Sequence, residues 1–476
     1  LDIQAGTSGN ITVNGDVSML ANSNLNLIGD TVSLSGSNNQ LGSITLNAND
    51  ANIMENDAMV IDNANVQNNL DLNTSGSITQ NGALIVGNQL DVNTAGNAVT
   101  LNNTGNSIAS LGAQNVGDTV VYTTSNTSLQ SISGDHLDIQ SEGDIEVAGD
   151  VSSSSLSPIT LEADVDGDTV GGIKINTNGS VASGSSATLR FSEWHQLSNT
   201  ASGKGLIIEN DGATTQLGTN GSLSMEPNFG IASLETEIAG NVTATGGVIN
   251  LFADRLNLTG KISGDSSLFI VPNTAGTEIN LGNNVSDTGL HLNGAELAKI
   301  GTGFNVVSFG ATGGNGAITL DDATFTTATQ LVNDGSSSAG VSIPGPVSGD
   351  SLTINTGGSV NGSGELNLSG LLGITSQGNV ILDNNGNQLT AINIDALGQL
   401  VQINQGPANP LDVQGIQADV LSLFADNEIN VNAPVSLSST ASISSTDTLT
   451  INDTLDADGT VSLSSNANIR VLDAIT

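Results

Sequence analysis

Apolar residues in this chain come in pairs with one residue between them, and the pairs recur at nearly constant steps. Over the C-terminal stretch the pairs are Ile429/Val431, Val435/Leu437, Leu449/Ile451, Val461/Leu463 and Ile469/Val471, with single apolar anchors at Ile443 and Leu455. Successive anchors are 6, 8, 6, 6, 6 and 8 residues apart, so Ile429, Leu449 and Ile469 stand twenty apart. Near the N-terminus Ile11/Val13, Val17/Met19, Leu25/Leu27 and Val32/Leu34 follow at steps of 6, 8 and 7, and Ile44/Leu46 follows Leu25/Leu27 by nineteen. Whole phrases repeat too: Leu70-Asp71-Leu72-Asn73-Thr74 returns as Leu90-Asp91-Val92-Asn93-Thr94.

Apolar-x-apolar spacing is the signature of a short strand with alternate residues inward. Turn words such as "NGD", "TSGS", "NTAG" and "DADG" separate the strands. An antiparallel sandwich pairs neighbouring strands through hairpins and needs no identity at twenty residues. A solenoid does need it, because each residue stacks on the one a full coil later. Three anchors per repeat predict three sheets per coil, hence a right-handed, three-sheet parallel β-helix with an all-β fold. At ~20 residues per coil and about 4.8 Å between stacked strands, the chain would make roughly 24 coils and a rod of ~115 Å. Asn in the turns tolerates left-handed backbone, and stacked Asn side chains can bond up and down a ladder.

Composition narrows the function classes. Apolar residues are 37% of the 476 but aromatics only 2%, so the core must be aliphatic. Seven Lys+Arg against 47 Asp+Glu give a net charge of −40. Such a surface is a poor partner for nucleic acid and for anionic membranes, both of which need clustered cations. No run of 18 apolar residues is present to insert into a bilayer. The absence of Cys fits a secreted bacterial chain that must not crosslink during export. Because residue 1 is Leu and no signal peptide is visible, the sequence reads as an interior or processed piece of something longer.

A longer repeat overlies the short one: "GNAVTLNNTGNSIASL" (96–111) resembles "GNVILDNNGNQLTAI" (378–392), as duplicated blocks of coils would. The chain divides into coils over 1–180, coils with an excursion around Trp194 over 181–235, and coils again over 236–476. In this last part "LNGAELAKIG" (292–301) is expected to leave the rhythm with a helical turn, and the Pro-containing stretches 341–350 and 404–411 are expected to be loops.

Chemistry-bearing residues are sparse. Trp194-His195 invites an active-site reading, yet His136, His195 and His291 are far apart in sequence, and Trp194 can serve to plug an apolar gap. A polysaccharide lyase or hydrolase on a β-helix would need paired carboxylates, or carboxylates with Arg or Lys, on adjacent coils. The seven cations are scattered and most Asp lie in turn words, so no catalytic residues are assigned. Asp164, Asp166 and Asp168 in "DVDGD" resemble part of an oxygen-ligand calcium loop. Asn176 and Thr177 stand where the later bidentate Glu belongs, so a solvated acidic turn competes with a calcium site.

Phrases such as "GSITQNGALIVGNQLDVNTAG" and "LHLNGAELAKIG" resemble the repeats of filamentous-haemagglutinin-like exoproteins, adhesins exported by two-partner secretion. The family's secretion domain, marked by "NPNG"-like motifs, has no counterpart here. What the resemblance implies is a shaft segment of an extracellular surface adhesin or of a matrix filament. Its partners would be further segments or copies of itself, and surface glycans. The competing reading is a β-helix carbohydrate-active enzyme.

Overall fold

The computed structural model describes residues 1–6, 8–20, 23–192, 204–208, 215–219, 222–227 and 235–476. The fold is all-β: parallel strands stack as a β-solenoid with roughly 20 residues per turn. Among the described residues the one α-helix is the single turn Gly294–Leu297. Contacts divide the chain into two units, Leu1–Ile249 with Thr259–Lys261, and Asn250–Leu258 with Ile262–Thr476.

In the first unit the anchors pair as their spacing predicts. Ile11 lies beside Val32 and Val13 beside Leu34. Leu25 lies beside Ile44 and Leu27 beside Leu46. The repeated phrase stacks on itself, Leu70 on Leu90 and Leu72 on Val92. All these ladders are parallel. Within Leu70–Thr74, Leu70, Leu72 and Thr74 are buried while Asp71 and Asn73 are exposed. Burying each inward Leu, Ile or Val is worth roughly 1.5–3 kcal/mol, which is why one register wins over a one-residue slip that would turn the whole set outward.

The second unit repeats the plan with three ladders per coil. Leu411 pairs with Ile429, Ile416 with Val435 and Leu421 with Ala441. Ile429, Leu449 and Ile469 form one continuous column. Two of the three faces are joined, because some strands bend through a corner and belong to both. Leu366–Ser376 pairs with Val347–Gly349 through its first half and with Leu352–Thr356 through its second. The core is aliphatic except at a few points, such as the tilted pair Phe309 and Phe325, whose ring centroids are 6.3 Å apart.

Outward polar residues bond their counterparts one coil on, as the Asn-rich turns suggest. Asn88 donates to Asn69 at 2.7 Å and Asn452 to Asn432 at 2.8 Å. Asp62 gathers Asn81 at 2.7 Å, Asn24 at 2.6 Å and the Ser43 hydroxyl, and these donors hold its carboxyl below the usual Asp range. Arg190 stands between Glu162 and Glu226 of neighbouring coils, 3.8 Å from each.

The coil length is less uniform than the anchors imply. Ile145 pairs with Ile173, 28 residues on, and Ile173 with Leu206, 33 on. Leu268 pairs with Val307, 39 on. Between Ile145 and Ile173, and between Leu268 and Val307, the surplus leaves as excursions between strands. The one around Trp194 and His195 lies outside the described residues. The excursion at 292–301 is the helical turn Gly294–Leu297. Asn293 caps it, accepting from the amides of Ala295 and Glu296, while Glu296 accepts from the Asn293 amide at 2.9 Å. The other Glu296 oxygen accepts from the Leu258 amide at 3.1 Å, tying the excursion to the strand Arg255–Leu258.

The expectation of a loop over 341–350 needs correction. Val341–Ile343 and Val347–Gly349 are strands, and only 344–346 turn. Pro344 and Pro346 fall just outside the ladders, and the Pro346 carbonyl still accepts from the Ala323 amide at 3.1 Å. The 404–411 loop is also shorter, since Leu400–Gln405 is a strand and the next begins at Leu411.

Candidate functional site

The acidic turn follows the strand Ile159–Ala163. Asp164 takes a left-handed backbone (φ 62°), as do Gly167 and Thr169, so the chain doubles back within a few residues. Asp164 is buried, and its carboxylate accepts from the Thr169 amide at 3.1 Å and from the Ser192 hydroxyl. Burial raises its pKa, the nearby charges of Asp168 and Asp166 add to that, and the bonds from Ser192 and Thr169 oppose it. Asp166 and Asp168 are exposed, and Asp168 accepts from the Val170 amide at 2.8 Å.

Carboxylate oxygens of Asp164, Asp166 and Asp168 all lie within 4.8 Å of one another. The turn thus gathers three oxygen donors of the kind a hard cation takes. Asn176, at the position of the later Glu, turns its Nδ2 to Glu146 at 2.7 Å. The buried Asp164 carboxylate is already used in shaping the turn. The other two carboxylates face solvent.

A second constellation escaped the sequence reading. At three corners a buried Asn side chain closes the same circuit of backbone bonds. Asn39, Asn106 and Asn387 accept, at 2.8 Å each, from the amides of Val17, Leu84 and Leu366 one coil earlier. Their Nδ2 atoms donate to the carbonyls of Met54, Tyr122 and Asn404 one coil later. The residue after each of those carbonyls then accepts from the amide two positions past the Asn: Glu55 from Leu41, Thr123 from Ile108 and Gln405 from Leu389. The signal was "NQL" at 39–41 and 387–389 and "NSI" at 106–108. Read as duplicated coils, it is also a device for satisfying strand amides where the ladder breaks at a bend.

Glu55 is the odd member, a carboxyl in a slot that Thr123 and Gln405 fill with neutral groups. It is buried and accepts from the amides of Leu41 at 2.9 Å and Asn56 at 3.1 Å. Burial, then a hydrogen bond with Asp57, push its pKa up to about 7. A near-neutral carboxyl beside a second one is a pattern used for acid–base chemistry. Here both Glu55 oxygens are occupied by backbone amides, the same work its neutral counterparts do. The arrangement is that of a strut.

Residues 48–115 and 335–395 match a family described as Repeats of unknown function (DUF5649). Asn106 falls in the first match and Asn387 in the second. No curated protein and no solved structure matches the chain. Among the described residues no helix is long and apolar enough to cross a membrane.

Proposed function

We propose that the chain is a structural shaft of a bacterial surface adhesin or extracellular filament, exported from the cell to hold binding elements away from it. One observation carries this reading: among the described residues, side chains at inward, outward and corner positions alike join one coil to the next. Inward positions are aliphatic columns such as Ile429–Leu449–Ile469. Outward positions bond along the same direction, as Asn69 with Asn88 does, and buried corners are plugged by Asn39, Asn106 and Asn387. A solenoid built this way gains stability by nearest-neighbour stacking, so it can be lengthened coil by coil. The match to a repeat family over 48–115 and 335–395 agrees with such lengthening. The partners of a shaft of this kind are further coils or copies of itself, and glycans at the surfaces it reaches.

Electron microscopy of the purified chain and immunogold labelling of source cells test the reading. Elongated particles and label at the cell surface are expected. Label confined to the cytoplasm, or release of reducing ends from a panel of acidic and neutral polysaccharides, would overturn it in favour of an intracellular role or a carbohydrate-active enzyme.

A further inference from the structure

We propose that Asn14 is a self-modification site: the Gly15 amide attacks its side chain, releasing ammonia and leaving aspartate or isoaspartate. The proposal concerns the chain's own covalent chemistry and stands or falls apart from the shaft reading. Asn is followed by Gly eight times in the sequence, so the dipeptide alone does not single out a position. The fold does. The Gly amide must be free to lose its proton, and the Asn Nδ2 must be free to leave. A hydrogen bond held by either nitrogen has to break first.

Five of the described pairs fail at the Gly amide. The Gly179 amide donates to the Asn176 carbonyl at 2.9 Å, and the Gly316 amide to the Ala275 carbonyl at 3.2 Å. The Gly294 amide donates to Asn283 Oδ1 at 2.9 Å, and the Gly386 amide to Asn384 Oδ1 at 2.7 Å. Gly362 is buried within the strand Val360–Gly362, beside Leu382. Asn220 and Gly221 lie outside the described residues. At Asn81 the side chain is held instead, since its Nδ2 donates to Asp62 at 2.7 Å. Breaking that bond strips a donor from Asp62, and the charge of Asp62 opposes the anion that must form on the Gly82 nitrogen.

Asn14 meets both conditions. It follows the strand Ile11–Val13, and both Asn14 and Gly15 are exposed. Among the described residues no acceptor meets the Gly15 amide or Asn14 Nδ2. The Ser35 hydroxyl, one coil on, donates to Asn14 Oδ1 at 3.3 Å. That oxygen is where negative charge builds when Cγ is attacked. A Cβ added at Gly15 would have nothing within 4 Å, so the turn is uncrowded.

Hydroxide takes the Gly15 amide proton, and the nitrogen forms a bond to Asn14 Cγ. The Cγ–Nδ2 bond breaks, and Nδ2 leaves as ammonia with a proton from water. Water then opens the succinimide ring. Cleavage at Cγ gives aspartate, and cleavage at the backbone carbonyl gives isoaspartate, with a main chain longer by one carbon. The net change consumes one water and releases one ammonia, with no oxidant or reductant. Either product sets a new carboxylate two residues from Asp16, which accepts from the Asn38 amide and side chain at 3.0 and 3.1 Å.

Peptide mapping by mass spectrometry of the full chain, held for weeks at pH 8, is the test. Conversion at Asn14 is expected to run about tenfold or more ahead of Asn81 and the other described pairs, since each hydrogen bond to be broken contributes a factor of that order. In urea the ranking should collapse, with Asn81 rising to the rate of Asn14. Gly15→Ala has room for its methyl group and no left-handed backbone to strain, so it should fold, as a thermal melt checks. Its branched residue hinders the attacking nitrogen, and conversion at Asn14 should fall by a similar factor. If Asn14 does not lead in the folded chain, if the same ranking persists in urea, or if folded Gly15→Ala converts as fast as wild type, Asn14 is not the site.

Discussion

Leu449 sits in parallel register between Ile429 and Ile469, with its side chain fully buried. Leu449→Ala removes the middle rung of an aliphatic column and is expected to cost about 2–5 kcal/mol, as a buried Leu truncation does. Leu449→Asp should cost more, because the carboxylate would be desolvated without a partner. Ile469 is 46% exposed, so Ile469→Asp should be far milder. Urea midpoints of the three variants check the order. A mild Leu449→Asp would mean that the column is not packed.

Glu55 makes the fold sensitive to pH near neutrality. Its pKa is about 7 in the folded chain against 4.5 as a free side chain, because burial and Asp57 disfavour the charged form. A carboxyl raised in this way contributes stability that is fully present below about pH 4.5 and lost as pH rises through about 7. Glu55→Gln keeps the acceptor for the Leu41 amide, the role Gln405 fills for Leu389. The variant is therefore expected to melt close to wild type at pH 5 and clearly above it at pH 8. Parallel melting curves across that range would show it. An offset independent of pH would mean that Glu55 does not titrate in the folded chain.

Asn387 tests the corner circuit. Its side chain is buried: Oδ1 accepts from the Leu366 amide at 2.8 Å, and Nδ2 donates to the partly buried Asn404 carbonyl at 2.8 Å. Asn387→Leu keeps roughly the volume but strands both backbone groups. An unmatched buried group costs about 1–3 kcal/mol, so a loss of roughly 2–5 kcal/mol is expected for the pair. Hydrogen exchange at the Leu366 amide should rise as well. Unchanged exchange there would show that the amide finds another acceptor.

The columns were legible in the sequence and the corners were not, for one physical reason. An inward rung accepts only an aliphatic side chain of similar size, so Leu25 and Ile44, or Ile11 and Val32, keep their type from coil to coil. A corner slot needs only an acceptor at the right height. Glu55, Thr123 and Gln405 all supply one, and no residue type recurs to betray the position. Coil length misled in a similar way. A solenoid tolerates extra residues wherever they can leave the ladder, as between Ile145 and Ile173, and counting in twenties passes over them. Pro344 and Pro346 suggested one long loop because proline cannot donate to a ladder, but a three-residue turn contains both and the strands resume at Val347. In the acidic turn, the closeness of Asp164, Asp166 and Asp168 followed from their spacing. The burial of Asp164 under Ser192, 28 residues on, did not.

The acidic surface supplies the last prediction. A net charge of −40 sets carboxylates close together along the coils, and their repulsion is least screened at low ionic strength, where the Debye length is about 30 Å at 0.01 M salt. Asp71 illustrates it: its pKa is raised by partial burial first and then by Asp91 and Asp50 on neighbouring coils. Added sodium chloride should therefore raise the melting temperature. Calcium chloride at matched ionic strength separates screening from coordination. With Asp164 committed to Thr169 and Ser192, the turn offers two solvated carboxylates and an incomplete shell. The expected result is that calcium and sodium act alike, and that Asp166→Asn leaves the response to both unchanged. A calcium increment beyond sodium that vanishes in Asp166→Asn would instead make Asp164, Asp166 and Asp168 a calcium site.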